Sequence, residues 1–261
     1  MKIKKDELMI TEGINREWII TNGIGGYAAG TVVGINTRKY HGLLVAPLTP
    51  PARRFLILSK LDESLEISGE KFNLYSNMCH NYISNGFKYQ ESFEKDIIPI
   101  FTYQVKDITI KKYICMEYGK NTVCVLYNIH NSGEEAKLTI TPIINFRDFH
   151  TMNINYEYNL RQEEHNNKLK VVVNDNSSTP FYMYVSDGKY IKHENDVFRN
   201  MFYIEEEKRG FFPEENLAVP RKIRNRNSSK IRKGNKFCMF IRRKHRRNKR
   251  KKDNEQRKNE N

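Results

Sequence analysis

From Trp18 to Ile191 the chain is a succession of short apolar and β-branched runs, and no stretch of ten or more residues carries a clean helical period. Strand-like runs occupy residues 55–58, 64–67, 71–75, 97–105, 108–115, 122–129, 136–141, 169–173, 181–185 and 187–191. Within 138–141, Leu138 and Ile140 fall on one phase and Thr139 and Thr141 on the other, the alternation of a strand with one apolar face. Lys106-Asp107, Asn131-Ser132-Gly133 and Asp187-Gly188 supply hairpin-type turns between neighbouring runs. Many short strands at roughly eight-to-twelve-residue spacing predict an all-β chain built as a large antiparallel sandwich. The 15 Tyr and 14 Phe favour the same outcome. Residues 1–15 read as a polar lead-in, 151–168 (with Tyr156 and Tyr158) as a long loop or ragged hairpin, and 174–179 as a turn.

Residues 17–44 stand apart. They hold six of the fourteen glycines and the only Trp, with β-rich runs at 18–21 and 31–35. Between those runs the backbone must turn sharply or approach something closely, which glycine permits. Residue by residue, the stretch reads as a glycine-rich hairpin at a sheet edge. A phosphate cradle does not fit, because Gly23, Gly25 and Gly26 lack the spacing of a dinucleotide fingerprint or a P-loop and no helical pattern follows. Next come Asn36, Thr37, Arg38, Lys39, Tyr40 and His41, which place two cations, a phenol ring and an imidazole in one polar segment.

The runs 17–27 and 30–44 resemble the N-terminal domain of the bacterial and archaeal type of glycogen debranching enzyme, the amylo-α-1,6-glucosidase family. The resemblance continues through 46–51 and 58–63 and returns at Asn145-Phe146-Arg147-Asp148-Phe149-His150, at Arg209-Gly210 and at 214–220, so that it covers about residues 12–220. It implies a large β-sandwich over residues 1–220. It also implies a place in glycogen breakdown, whose family activities are amylo-α-1,6-glucosidase and 4-α-glucanotransferase. In that family the catalytic carboxylates belong to a C-terminal (α/α)6 barrel, before which this chain stops. No catalytic residue is therefore expected here, and activity in isolation is not expected. The expected partners are α-glucan (glycogen or limit dextrin) and the barrel domain.

Sugar binding wants an aromatic face for the ring and planar polar groups for its hydroxyls. Trp18, Tyr27 and Tyr40 are candidates for stacking, and Asn22, Arg38 and His41 for hydrogen bonding, Arg through its fixed fork. The competing role is structural: Trp18 as a core anchor, Arg38 and His41 as supports of the loop or of the domain interface. Arg147, Asp148 and His150 form a second polar cluster, for which an interface role stands beside sugar contact and in which Asp148 pairs with Arg147 or closes a turn. Glycosidic hydrolysis needs two carboxylates facing each other across the bond, and no pair stands out. Adjacent Asp62 and Glu63 point to opposite faces of a strand, and Glu163-Glu164 and Glu205-Glu206-Glu207 read as solvated surface.

Cys79, Cys115, Cys124 and Cys238 form no Cys-x-x-Cys pair, and the seven His are dispersed. Neither a metal site nor a cofactor is expected, and Cys124 reads as a small buried hydrophobe. The N-terminus lacks a secretory pattern and no apolar run is long enough to span a bilayer, so the expected location is the cytoplasm.

Beyond Pro220 the chemistry changes. Residues 221–261 hold 19 Lys and Arg against three acids, whereas the other 220 residues hold 26 against 28. The cation run 242–252 fits a nucleic-acid-binding arm, or a disordered, solvated tail. A third reading is preferred. Arg221 stands where the family has glycine, and A-rich codons for 221–227 read one base later give Glu-Lys-Tyr-Glu-Ile-Glu, an alternating strand. The tail is thus expected to be a disordered frameshift product, and nucleic acid is not an expected partner.

Overall fold

The computed structural model of this chain describes residues 1–154, 157–174, 179–192, 196–227 and 235–242. Tyr156, most of the 174–179 turn and the cation run past Arg242 lie outside the described residues. In chain order the strands are β1 (Lys2–Lys4), β2 (Glu17–Thr21), β3 (Tyr27–Thr31), β4 (Gly42–Thr49), β5 (Ala52–Ile67), β6 (Glu70–Asn73), β7 (Met78–Cys79), β8 (Tyr82–Ile83), β9 (Gln90–Lys95), β10 (Pro99–Val105) and β11 (Ile108–Met116). They continue with β12 (Thr122–Asn131), β13 (Ala136–Asp148), β14 (Leu160–His165), β15 (Lys168–Val173), β16 (Phe181–Val185), β17 (Lys189–Ile191), β18 (Asp196–Phe202), β19 (Glu214–Val219), β20 (Lys222–Asn227) and β21 (Asn235–Arg242). The two α-helices among the described residues, α1 (Ile10–Gly13) and α2 (Ile204–Lys208), are each about one turn long.

The strands form two antiparallel sheets. One runs β1-β9-β10-β11-β12-β21-β16-β15-β14; the other runs β2-β3-β4-β5-β13-β19-β18-β7-β8, with β6, β17 and β20 attached beside that path. Their inner faces share one core, in which Phe93, Phe101, Ile110 and Val125 of the first sheet join Trp18, Ile57, Leu65 and Leu138 of the second. Trp18 meets Phe101 edge-on at 6.2 Å. This is the expected large antiparallel sandwich, and β2 with β3 is the expected glycine-rich hairpin at a sheet edge.

The differences are instructive. Residues 55–58 and 64–67 are one sixteen-residue strand, β5. The polar stretch Ser59, Lys60, Asp62 and Glu63 breaks the apolar run in sequence, yet all four are buried. Of the expected strand 31–35 only Thr31 is extended, as the last residue of β3, and the chain turns at 32–34. The turns at 131–133 and 187–188 do not close hairpins. β12 lies in one sheet and β13 in the other, and likewise β16 and β17, so both turns carry the chain across the sandwich. Turn residues encode a reversal, not whether the next strand pairs in plane or in the facing layer. The lead-in is also part of the fold: β1 pairs β9, and Ile3 and Leu8 are buried.

The chain does not leave the fold at Pro220. β20 pairs β13 and β17, with Ile223 buried opposite Ile140 and Arg224 exposed. β21 pairs β12 on one side and β16 on the other. Part of the segment expected to be disordered therefore belongs to both sheets. In β20 the inward residues Ile223 and Asn225 alternate with Lys222 and Arg224, and those charges hid the strand pattern in the sequence.

Candidate functional site

The edge hairpin supplies the first half of the site. Asn22 sits at its tip, fully buried, and is wholly used in bracing it. Its Oδ1 accepts from the amides of Ile24 (3.1 Å) and Gly26 (2.8 Å), and its Nδ2 donates to Lys120 O (2.9 Å) and Asn121 Oδ1 (3.1 Å). Gly25 has φ +93°, and a Cβ there would lie 2.6 Å from the Pro51 carbonyl oxygen, so only glycine fits. Trp18 is enclosed in the core and donates its indole N–H to Thr31 O at 3.1 Å. The structural role set against sugar stacking is the one its geometry fits.

The loop between β3 and β4 carries the polar segment 36–41. Thr37 N donates to His41 Nδ1 at 3.1 Å, so the ring proton sits on Nε2, which faces Glu17 Oε1 at 3.5 Å. Arg38 Nε donates to the same oxygen at 2.6 Å, and its Nη2 lies 3.6 Å from Glu205 Oε2. The hydrogen bond from His41 and then that from Arg38 outweigh partial burial and hold the Glu17 carboxyl at about 2. Its folded value is depressed, so its contribution to stability is present above the ordinary 4.5 and is lost as pH falls toward about 2. Glu17→Gln is expected to lower the melting temperature near neutral pH and to flatten the acid limb of the melting profile. Parallel acid limbs for variant and wild type would contradict this.

The second half comes from the end of β13 and from α2. Arg147 is buried and forks onto Glu215, with Nε on Oε1 and Nη2 on Oε2 at 2.9 Å. Glu215 also accepts from Asn145 Nδ2 (3.0 Å), Asn153 N (3.0 Å) and Tyr203 Oη (2.6 Å). The remaining guanidinium protons go to Lys39 O (2.8 Å), Asp148 O (3.2 Å) and Phe149 O (3.3 Å). One buried cation thus ties the end of β13 to the 36–41 loop. Asp148 serves the turn, accepting from His150 N at 2.9 Å, while the ion-pair partner of Arg147 is Glu215. Glu206, read as solvated surface, is fully buried; its Oε1 accepts from Lys39 N at 3.3 Å and its Oε2 lies 3.9 Å from Lys39 Nζ.

The two clusters read separately in sequence meet here. Tyr40 Oη lies 3.3 Å from His150 Nδ1, and its ring packs edge-on to Phe149 (5.5 Å) and His150 (5.8 Å). Tyr27 lies behind, half-buried, donating to Tyr40 O at 2.8 Å. Lys39 Nζ sits 5.4 Å from the Phe211 ring, and Phe211 and Phe212 are about 60% exposed. Of the nine sequence candidates, Trp18, Asn22, His41 and Arg147 are interior braces. Arg38, Tyr40, Asp148 and His150 reach the surface, with Tyr27 beneath them. Sequence reasoning missed Glu17, Glu206 and Glu215. Glu17 and Glu215 do lie inside the matched runs, and their proximity to Arg38 and Arg147 appears only after folding. Among the described residues no group of three or more His, Cys, Asp or Glu is placed to hold a metal.

The fold defines the class, a large two-sheet antiparallel β-sandwich domain. Residues 16–230 match the family described as glycogen debranching enzyme N terminal, and the chain belongs to that family. The match extends beyond Pro220 and through β20. No curated protein matches by sequence. Among solved structures, a bacterial glucoamylase complexed with acarbose is similar over 92% of this chain and 32% of its own, at 9% identity and TM-score 0.43. A heparan sulfate lyase, HepC from Pedobacter heparinus, is similar over 70% of this chain and 24% of its own, at 7% identity and TM-score 0.37. The chain thus spans a third or less of either protein. No helix among the described residues is long and apolar enough to cross a membrane, a statement that does not extend to β-barrels.

Proposed function

We propose that this chain is the α-glucan-associated N-terminal domain of a cytoplasmic glycogen debranching enzyme. It holds glucan for a catalytic domain outside these residues and cleaves no glycosidic bond itself. The observation that carries the reading is the contact of Tyr40 with His150, which joins two stretches 110 residues apart into one partly exposed surface with an aromatic ring and planar polar groups. Asp148 holds the His150 amide, and Lys39 links Tyr40 to the exposed Phe211 ring, which with the exposed neighbouring Phe212 would contact the catalytic domain. The buried acids Asp62, Glu63, Glu206 and Glu215 each lie beside a cation, from Lys60, Lys112, Lys39 and Arg147 in turn, which fits a structural role for them.

Affinity electrophoresis in gels with and without glycogen tests this. Retardation by glycogen is expected, and Tyr40→Ala combined with His150→Ala is expected to weaken it by about tenfold, which corresponds to ~1.4 kcal/mol. Unchanged mobility of the wild type at millimolar glucan units would overturn the binding role. Glucose release from a branched limit dextrin would overturn the division of labour.

A further inference from the structure

The hairpin of β11 and β12 sets Cys115 directly opposite Cys124. Opposed residues in an antiparallel pair stand ~4.5–5.5 Å apart at Cα, within the ~4.4–6.8 Å that a disulfide spans. They also share a face. The neighbours Ile114, Val123 and Val125 point into the core, whereas both thiols are half-buried on the outer side of the sheet. Cys124 is therefore not the interior hydrophobe expected from its apolar run. The two thiols are hydrogen-bonded to each other, which brings Cys115 down to about 7. The other cysteines differ. Cys79 lies opposite Tyr82 and Met201, with its thiol pushed up by burial, and Cys238 lies opposite Leu126.

The turn of the same hairpin grips the glycine loop. Gly119 N donates to Asn22 O at 2.7 Å, Asn22 Nδ2 donates to Lys120 O at 2.9 Å, and Asn121 Nδ2 donates to Pro47 O at 2.9 Å. A covalent tie between β11 and β12 would close the hairpin just before this turn and so stiffen the support of the edge loop.

We propose that Cys115 and Cys124 are a reversible redox site, forming a cross-strand disulfide on reaction with a low-molecular-weight disulfide. The Cys115 thiolate attacks one sulfur of the small disulfide, forming a mixed disulfide and expelling one small thiolate. The Cys124 thiol then loses its proton and attacks the Cys115 sulfur, expelling the second. The two protein thiols lose two electrons and two protons, and the small disulfide gains them as two thiols.

The test uses the full chain and oxidised glutathione. After reaction, remaining thiols are alkylated, the protein is digested without reductant, and the peptides are read by mass spectrometry. A Cys115–Cys124 bridge is expected, reversed by dithiothreitol and absent from Cys115→Ser and from Cys124→Ser. Cys124→Ser is expected to trap glutathione on Cys115. Glutathione on both thiols without a bridge, a Cys124–Cys238 bridge, or preferential modification of Cys79 would each overturn the proposal. Serine at these half-exposed positions keeps shape and polarity, and a melting curve of each reduced variant verifies that the fold is intact.

Discussion

Glu215→Gln is expected to cost the domain ~3–5 kcal/mol, the range for breaking a buried ion pair by removing one charge. The loss is large because Arg147 stays behind. Its guanidinium is buried and cannot deprotonate. The other partners of Arg147 are carbonyls of Lys39, Asp148 and Phe149, which do not offset a buried charge. Asn145, Asn153 and Tyr203 also lose the carboxylate they donate to. Urea denaturation would show a lower midpoint with an unchanged slope. Replacing both members with apolar residues, Arg147→Met with Glu215→Leu, is expected to cost less than the sum of the single changes. Additive losses would mean that the pair is not coupled as the geometry requires.

The second large effect is expected at Lys60. Its ammonium is buried and donates to Gly34 O (3.0 Å), Ser76 O (2.6 Å) and Asn77 Oδ1, with Asp62 Oδ1 at 3.5 Å. Burial pushes Lys60 down and Asp62 up, each against the pull of the other. Lys60→Met removes the opposing charge and leaves Asp62 in the same surroundings. A deficit of ~3–5 kcal/mol is expected near neutral pH. The sign with pH is fixed. A carboxyl whose folded value is raised binds its proton more tightly in the native state, so stability is greatest below the ordinary value of 3.8 and falls as pH rises above it. The gap between variant and wild type should therefore be smallest in acid and widen toward neutrality. A gap independent of pH would show that Asp62 is not the group left exposed to the loss.

These two networks explain where the sequence was legible. The alternation of β11 is clear because Ile108, Ile110 and Ile114 fall on one phase. The exception on that phase, Lys112, is buried too, and its ammonium meets Glu63 Oε1 at 2.7 Å, with Tyr127 Oη on the same oxygen at 2.5 Å. A lysine in a strand pattern reads as solvent-facing until the facing sheet supplies its carboxylate. The polar middle of β5 misled for the same reason. The surface of Arg38, Tyr40, Asp148 and His150 was found as two unrelated clusters, since their meeting depends on Arg147 reaching the Lys39 carbonyl across 108 residues of chain.

By itself the sequence determined the all-β character, the antiparallel sandwich, the presence of a glycine-rich edge hairpin and the family. These follow from local quantities: two-residue periodicity, turn chemistry, glycine density, and a long motif of mixed chemistry. Only the tertiary structure decided which reversals pair in plane and which cross the sandwich, that β20 and β21 return into the sheets, and which of the nine candidates face solvent. Those outcomes depend on which distant strands pair and which buried charges meet, and both are properties of the packed layers rather than of any stretch of chain.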